Sequence, residues 1–261
     1  MSRLCERYGP WAFVAGASAG IGEAFARQLA SQGFHLLLVA RRADALGALA
    51  RELSLAHGVE VRWAAADLAS PDLRERALAL AGGAEVGLLV YNAAHSAIGP
   101  FVERPIEEQL RVLDVNCRGP LTLCHLFGRE MARRRRGGIL LMASLAGSQG
   151  GPLVASYAAS KAFNLVLAEG LWDELGRQGV DVLACRAGAT RTPGYAASRP
   201  KREMPLMEAA KVAREALSRM GRGPTMVAGG MNKVAAFLFA RLLPRRTSIR
   251  IMGQATRRLY G

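Results

Sequence analysis

Two residues capable of proton transfer lie four positions apart in the segment YAASK. Tyr157 and Lys161 would share one face of a helix, because residues four apart lie on neighbouring turns. Only four of the 35 basic residues are Lys, so a Lys at this spacing from a Tyr is uncommon for this composition. An ammonium group can shift its pKa and pass on protons, whereas a guanidinium stays charged. The pair therefore indicates proton chemistry at one site.

The elements that must position this pair follow from the apolar pattern. Short apolar runs alternate with segments of helical spacing, which is typical of a parallel sheet covered on both faces. We expect one doubly wound α/β domain of the Rossmann type over residues 1–261, with about seven parallel strands and helices on both faces. The predicted strands are 11–15, 35–40, 59–65, 86–91, 138–143, 180–185 and a seventh near 225–228. The predicted helices are 20–31, 43–57, 72–81, 106–133, 157–178 and one that begins near Pro205.

A glycine-rich turn follows the first predicted strand. The segment Gly16-Ala17-Ser18-Ala19-Gly20-Ile21-Gly22 has the spacing GxxxGxG and leads into a helix. Glycines let backbone N–H groups approach a pyrophosphate closely, and the N-terminus of the helix supplies partial positive charge. Ligands of such sheets bind beyond the carboxyl ends of the strands. The turn therefore predicts a dinucleotide-binding part at about residues 10–140.

The end of the second predicted strand bears on which dinucleotide binds. Arg41 and Arg42 stand where an NAD-selective site would place a carboxylate for the ribose 2′-hydroxyl, and an Arg there can pair with a 2′-phosphate. We expect NADP(H) in preference to NAD(H), with Arg41 carrying the larger share; alternatively, both are solvated residues that open the next helix. Asp67 could accept a bond from the adenine amino group or cap the helix after Pro71, and Asn92 could fix a turn or touch the cofactor ribose.

Further motifs stand at later strand ends. Ser144 closes the fifth predicted strand, and Tyr157 follows 13 residues later, entering the next helix. Together with GxxxGxG, YNAA at 91–94 and Asn116 in DVNCRGP, this arrangement resembles the short-chain dehydrogenase/reductase family over about residues 10–192. The resemblance implies an NAD(P)-dependent oxidoreductase that moves a hydride between the nicotinamide and a carbonyl or secondary alcohol. Its catalytic and substrate part would span about residues 141–230.

The resemblance also implies roles for the matching residues. Tyr157 would be the general acid in carbonyl reduction and the base in alcohol oxidation, its pKa lowered by the Lys161 ammonium and the oxidised nicotinamide. Lys161 would bond the nicotinamide ribose, and Ser144 would stabilise negative charge on the carbonyl oxygen. Asn116 would hold a water that links Lys161 to solvent. The residues implied to bind the cofactor are Gly16, Ser18, Gly20, Ile21, Gly22, Arg41, Arg42, Asp67, Leu68, Asn92, Ala93, Tyr157, Lys161, Gly188, Thr190 and Thr192.

Four positions depart from the family's motifs. Ala187 stands where Pro is usual, before the loop 188–192 that would contact the nicotinamide carboxamide. Ala15 replaces a frequent Thr before the first Gly. Tyr91 and Ala94 replace the first Asn and the Gly of the Asn-Asn-Ala-Gly motif. None of these changes removes a catalytic group.

Two segments on the substrate side are less constrained by the motifs. Residues 194–205 occupy the position of the family's mobile lid and include Tyr195. Their basic side chains, Arg199, Lys201 and Arg202, could face an acidic substrate group or solvent. An extension of about 231–261 begins with NKVAAFLFARLL at 232–243 and continues with an Arg-rich run. It could pack on the core, line a lipophilic substrate site, form an oligomer contact or touch a membrane surface through 232–258.

Composition limits the class of protein. A hydrophobic content of 51% and a charged content of 21% fit a globular enzyme, and the formal charge of +14 favours anionic partners without choosing among them. The basic clusters lack the interleaved aromatic residues that stack on unpaired bases, which disfavours nucleic acid. Four scattered cysteines without CxxC spacing indicate neither disulfides nor a metal site. Since no apolar run reaches the roughly 20 residues of a spanning helix, we expect a cytoplasmic protein.

Other classes of function stay open at the level of sequence. One is a nucleotide-binding regulator without redox chemistry, which the complete set of Asn116, Ser144, Tyr157 and Lys161 argues against. Another is a basic peripheral protein at membranes or nucleic acid. For the enzyme we expect a small carbonyl or alcohol substrate, lipophilic if the extension lines its site. The resemblance implies a homo-oligomer, a dimer or tetramer, formed through the helices at 106–134 and 157–178.

Overall fold

The strands form one central sheet and a separate two-stranded sheet. The computed structural model describes residues 2–202 and 204–261. Its strands are β1 (Trp11–Ala15), β2 (His35–Ala40), β3 (Val61–Ala65), β4 (Val86–Tyr91), β5 (Gly137–Ser144), β6 (Val180–Ala187), β7 (Thr190–Arg191), β8 (Met207–Glu208) and β9 (Thr225–Val227). Seven of them lie parallel in the order β3-β2-β1-β4-β5-β6-β9, and β7 pairs with β8. The predicted doubly wound α/β architecture is confirmed, with the order reversing between β1 and β4.

Helices cover both faces of the sheet. They are α1 (Arg3–Tyr8), α2 (Gly20–Ser31), α3 (Ala43–His57), α4 (Leu73–Ala81), α5 (Ile106–Leu113), α6 (Gly119–Arg133), α7 (Ala155–Gly176), α8 (Pro193–Ala197), α9 (Ala209–Arg219), α10 (Gly230–Arg241) and α11 (Arg245–Tyr260). The predicted helix start near Pro205 is wrong, because Met207 and Glu208 pair as β8 and α9 begins only at Ala209. Within the described ranges, no helix combines the length and apolar character needed to cross a bilayer.

The apolar strands supply two cores, one on each face of the sheet. Successive side chains of a strand point to opposite faces, so β1 sends Ala12 and Val14 into the core under α2 and α3, and Phe13 into the core under α6. Every residue of β1 is buried. This two-sided burial explains why the strands read as continuous apolar runs rather than as alternating ones.

The predicted helix at 106–133 is divided by a π-helical turn. Residues Asp114–Arg118 form this turn between α5 and α6. The Tyr91 hydroxyl at the end of β4 donates to the Val115 carbonyl at 2.6 Å. Gly119 leaves the room for it, since a Cβ at that position would lie 2.1 Å from the Tyr91 hydroxyl oxygen. Tyr91, which departs from the family motif, thus fixes the turn that carries Asn116.

The extension packs on the body of the domain as two helices. A Cβ on Gly253 of α11 would lie 3.0 Å from Cγ of Pro152, in the loop between β5 and α7. The backbone N–H of Lys201 donates to the Leu259 carbonyl at 2.8 Å. The segment after α8 and the helix α11 therefore lie on the same side of the domain. Helix α10 and the residue that follows it, by contrast, leave several apolar side chains exposed, namely Met231, Val234, Phe237, Leu238 and Leu242.

Candidate active site

Ser144, Tyr157 and Lys161 meet beyond the carboxyl end of β5. Ser144 is the last residue of β5, and Tyr157 and Lys161 lie in the first two turns of α7. The Lys161 Nζ is 5.8 Å from the centre of the Tyr157 ring and donates to the Met142 carbonyl of β5 at 2.8 Å. The spacing in YAASK therefore places the phenol and the ammonium on one face of α7, directed at the strand ends.

Burial shifts both titrating groups toward their neutral forms. Desolvation raises the pKa of the Tyr157 phenol; a hydrogen bond with Ser144 opposes this, and the nearby Tyr260 phenol adds to it. Desolvation lowers the pKa of Lys161 to about 8, with Cys117 acting in the opposite direction. The resemblance implied a lowered Tyr157 pKa, but in the protein alone the shift is upward. Tyr157 therefore carries its proton at neutral pH, as a general acid requires.

The structure gives the Asn116 side chain a positioning task. Its Oδ1 accepts from the His95 backbone N–H at 2.8 Å, and its Nδ2 donates to the His95 carbonyl and to the Ser160 hydroxyl, each at 2.8 Å. Both amide protons are thus engaged by the protein, and the water that the resemblance implies stays a prediction. Asn116 ties the segment after β4 to α7, one residue before Lys161.

Ser160 is a site residue that the sequence analysis missed. Its hydroxyl accepts the Asn116 bond and donates to the Tyr157 carbonyl at 2.8 Å. It is almost fully buried, and it lies between the two predicted catalytic residues in YAASK. The sequence signal for this residue was a small hydroxyl side chain between Tyr157 and Lys161.

The glycine turn leaves no room for side chains at two of its glycines. Gly16 has φ +85°, and a Cβ there would lie 2.7 Å from the Ala93 nitrogen. A Cβ on Gly22 would lie 1.9 Å from the Gly16 oxygen, to which Asn92 Nδ2 donates at 3.1 Å. Asn92 therefore fixes the turn, and its contact with the cofactor ribose stays a prediction. Helix α2 begins at Gly20 with no side-chain cap, so its first N–H groups are available to an anion.

Arg41 and Arg42 differ in what they contact. The Arg42 guanidinium donates to the Ser18 carbonyl at 2.9 Å and lies 3.3 Å from its hydroxyl, so it rests on the glycine turn. Arg41 is exposed, and within the described part of the chain its side chain has no hydrogen-bond or ion-pair partner. Its charge nevertheless lowers the pKa of Asp67. A free guanidinium beside the glycine turn fits a 2′-phosphate.

Asp67 does not cap the following helix, because α4 begins at Leu73. Its carboxylate accepts from the Ala69 backbone N–H at 3.0 Å and from Arg111 at 2.7 Å. Burial alone would raise the pKa of Asp67, but these two contacts bring it below its usual range. The carboxylate thus stays ionised after β3, and a contact with adenine is left as a prediction.

The remaining predicted cofactor residues lie in the loop after β6 or pack at the edges of the core. The Thr190 hydroxyl donates to the Gly188 carbonyl at 3.0 Å, and Thr192 Oγ1 accepts from the Tyr195 N–H at 3.1 Å, which caps α8. A Cβ on Gly20 would lie 2.8 Å from Thr192 Cγ2. The loop after β6 therefore touches the glycine turn. Three apolar members of the predicted set pack at the edges of the core, namely Ile21, Leu68 and Ala93.

Comparison with known proteins identifies the family of this chain. The family model described as short chain dehydrogenase matches residues 10–203. The chain belongs to the short-chain dehydrogenase family. This short-chain dehydrogenase is 32% identical to a 7beta-hydroxysteroid dehydrogenase of Clostridium sardiniense, over 87% of this chain and 88% of the relative. It is an oxidoreductase that acts on CH–OH or C=O groups with a nicotinamide cofactor.

Two solved structures resemble the whole domain. One, from a study of 7beta-hydroxysteroid dehydrogenase stereoselectivity, superimposes with a TM-score of 0.89 at 28% identity and covers 96% of this chain and 99% of its own. The other is a short-chain dehydrogenase from Sphingobium yanoikuyae in complex with NADPH, with a TM-score of 0.78 at 32% identity, covering 84% of this chain and 87% of its own. The predicted family and fold are confirmed.

Proposed function

We propose that this short-chain dehydrogenase reduces a ketone to a secondary alcohol with NADPH and that Tyr157 is its general acid. The observation that carries the proposal is the meeting of a protonated phenol, a strand-end hydroxyl and a buried ammonium beyond β5. These groups lie at the carboxyl ends of the strands, where ligands of this fold bind. The same residues catalyse the reverse reaction when the alcohol is the substrate.

Each residue has a defined part in the reduction. When bound, NADPH supplies the hydride. Tyr157 donates its phenolic proton to the substrate oxygen, and Ser144 donates a hydrogen bond to the same oxygen as negative charge develops on it. Lys161 would hold the ribose hydroxyls of the cofactor, and its positive charge would stabilise the phenolate that remains after proton transfer. Asn116 and Ser160 hold the start of α7 in place.

The glycine turn and the α2 N-terminus would hold the pyrophosphate, and Arg41 the 2′-phosphate. The preference for NADPH is supported by the unpaired Arg41 guanidinium and by the NADPH complex of the Sphingobium yanoikuyae relative. Arg42 would support the turn from its bonds to Ser18.

Cofactor titration tests this preference. We expect Arg41→Asp to weaken NADPH binding by about 10- to 100-fold while leaving NADH binding nearly unchanged, since a hydrogen bond to a charged group contributes about 1.5–3 kcal/mol. Arg51→Asp, which makes the same change at an exposed position of α3, is the matched control. Binding is measured by fluorescence of the reduced nicotinamide. Equal affinity of the wild type for NADPH and NADH would contradict the preference.

The substrate is proposed to be an extended, lipophilic ketone. This proposal comes from the hydroxysteroid dehydrogenases, which the chain resembles over most of its length. A panel of polycyclic and long-chain ketones is therefore the first to be assayed for NADPH oxidation.

Removal of the phenolic hydroxyl tests the function itself. We expect Tyr157→Phe to lower kcat by at least about 100-fold, the usual size of a general-acid contribution, and to leave NADPH affinity within about threefold. Turnover is followed by the absorbance of NADPH. A variant that keeps more than a tenth of the wild-type rate would exclude Tyr157 as the acid. If the wild type oxidises NADPH with none of the panel, the nucleotide-binding regulator becomes the better interpretation.

A further inference from the structure

Helix α10 presents an apolar stripe to solvent. The stripe consists of exposed side chains on the helix and on the residue that follows it, namely Met231, Val234, Phe237, Leu238 and Leu242. Successive members are three, three, one and four residues apart. Because an α-helix turns by about 100° per residue, this spacing places all of them within about 140° of the helix circumference. The stripe is therefore one continuous surface rather than a scatter of side chains.

Another side of α10 is fastened to the domain. The Asn232 side-chain amide donates to the Ala228 carbonyl at 2.8 Å and lies 3.2 Å from the Met207 sulfur. A Cβ on Gly188 would lie 2.7 Å from the same amide nitrogen. These contacts hold α10 beside the loop that follows β6. Since they fix which side of the helix meets the domain, the stripe is left facing outward.

The same part of the chain carries most of the positive charge. Residues 216–261 contain nine Lys or Arg and no Asp or Glu, in a chain whose formal charge is +14. Three exposed arginines lie where α10 ends and α11 begins, and we call Arg241, Arg245 and Arg246 the junction arginines. Within the described ranges, none of them forms an ion pair with a carboxylate. The apolar stripe thus ends at a cluster of cations that the protein does not neutralise.

Charge decides which partner fits this surface. A second copy of the chain would bring the same excess of positive charge to the contact, and repulsion between like charges would oppose the pairing. A single-stranded nucleic acid would need several aromatic rings on which its bases stack, and Phe237 is the one aromatic member of the stripe. An anionic lipid surface suits both parts, because apolar side chains enter the acyl boundary while cations contact the phosphates.

We propose that α10 and the start of α11 bind an anionic membrane surface, with the stripe buried at headgroup level and the junction arginines in contact with lipid phosphates. Helix α10 has 12 residues, fewer than the roughly 20 that span a bilayer, so the protein lies on the membrane. This binding goes beyond the proposed reduction and does not depend on Tyr157. It places the loop after β6, which α10 contacts through Asn232, next to the lipid.

Vesicle sedimentation tests the part played by charge. The probes are vesicles of phosphatidylcholine alone and of phosphatidylcholine mixed with phosphatidylserine. We expect the wild type to bind the mixed vesicles at least about tenfold more tightly than the neutral ones, and less tightly as salt is raised. Arg241→Gln/Arg246→Gln should weaken this binding about 10- to 30-fold. Arg51→Gln/Arg214→Gln removes the same charge from exposed positions of α3 and α9 and should change it less than about threefold.

A second variant tests the apolar stripe. Phe237 is 61% exposed, and we expect Phe237→Ser to weaken binding to the mixed vesicles at least about tenfold, because the ring no longer enters the acyl boundary. Leu55→Ser, at an 81% exposed position of α3, is the matched control and should bind as the wild type does. Thermal unfolding of each variant establishes that it is folded.

Several results would overturn the proposal. They are equal binding of the wild type to neutral and mixed vesicles, binding to neither, and unchanged binding in Phe237→Ser. If vesicles are not bound and Phe237→Ser instead lowers the mass of the wild-type particle in light scattering, the stripe joins copies of the chain. Since none of these measurements requires turnover, failure of the proposed reduction would leave membrane binding intact, and the reverse also holds.

Discussion

Lys161 is a charge held almost entirely out of water. It is 3% exposed, and its ammonium donates to the Met142 carbonyl. Burial lowers its pKa to about 8, so the group that must stay cationic beside the phenol titrates close to physiological pH. The described titratable neighbour that acts on it is Cys117. Burial of this ammonium lowers the stability of the folded protein, as is common for groups that a functional site requires.

The lowered pKa predicts how stability depends on pH. The unfolded chain binds the Lys161 proton up to pH about 10.4 and the folded protein only up to about 8, so the unfolded state binds more protons between these values. The stability of cofactor-free wild type should therefore rise relative to Lys161→Met from pH 8 to 10, by roughly 2 kcal/mol. Urea unfolding of both proteins at four pH values measures this difference. A difference that stays constant across the window would refute the shift.

The site residues differ in how far the sequence could specify them. The spacing of Tyr157 and Lys161 predicts their shared face, because four residues along a helix fix that geometry. The direction of the Tyr157 pKa shift could not be predicted, since it depends on how completely the surrounding chain excludes water. The hydrogen-bond partners of Asn116 could not be predicted either, because they depend on a π-helical turn. The sequence does not distinguish the surroundings of Arg41 and Arg42. The structure does, because Arg42 contacts Ser18.

At the scale of elements, the junction of α5 and α6 shows what periodicity cannot reveal. The apolar spacing continues across 106–133 and predicts one helix, but the π-helical turn Asp114–Arg118 inserts an extra residue into the path. A stabilising contact comes from β4, where the Tyr91 hydroxyl donates to the Val115 carbonyl of the turn. Long-range contacts of this kind leave no local pattern. The extension is a similar case, since its composition predicts neither the two helices nor the face that α11 buries.

The close approach of Gly119 to Tyr91 yields a prediction for this junction. We expect Gly119→Ala to destabilise the protein by about 1–3 kcal/mol and to lower turnover, because the new methyl group would force α6 away from the strand and displace Asn116. The double variant Gly119→Ala/Tyr91→Phe should lose less stability than the sum of the single changes. Urea unfolding measures these free energies.

A glycine in the same helix provides the control. Gly128→Ala meets its nearest neighbour at 3.4 Å, an ordinary contact, and should be neutral or slightly stabilising because Ala favours helix. Equal losses in Gly119→Ala and Gly128→Ala would show that the contact with Tyr91 is unimportant.

At the scale of the whole molecule, large apolar side chains are exposed on several helices, including α5, α6, α7 and α10. Those on α6 and α7 include Leu121, Phe163, Val166 and Trp172. Both helices fall within the segments from which oligomerisation is predicted, and we propose that this face joins copies of the chain. Exposed apolar patches of this kind commonly mark interfaces. Contact of α10 with a membrane surface stays a prediction.

A charge placed on that face tests the assembly. Val166 is 64% exposed on α7, so Val166→Glu should not disturb the core but should bury a carboxylate in the proposed interface. We expect the variant to elute as a smaller species than wild type in size-exclusion chromatography with light scattering. Leu55→Glu, at an 81% exposed position of α3, should keep the wild-type mass. A monomeric wild type at micromolar concentration would contradict the proposed interface.

The contact between Thr192 and the glycine turn links the two ligands of the enzyme in time. Thr192 packs against Gly20 and also caps α8, the helix that carries Tyr195. We expect a nucleotide bound at the turn to contact Thr192 and so to order α8, which Thr192 caps. The nucleotide should therefore bind first and leave last, and its concentration should govern how well α8 is ordered.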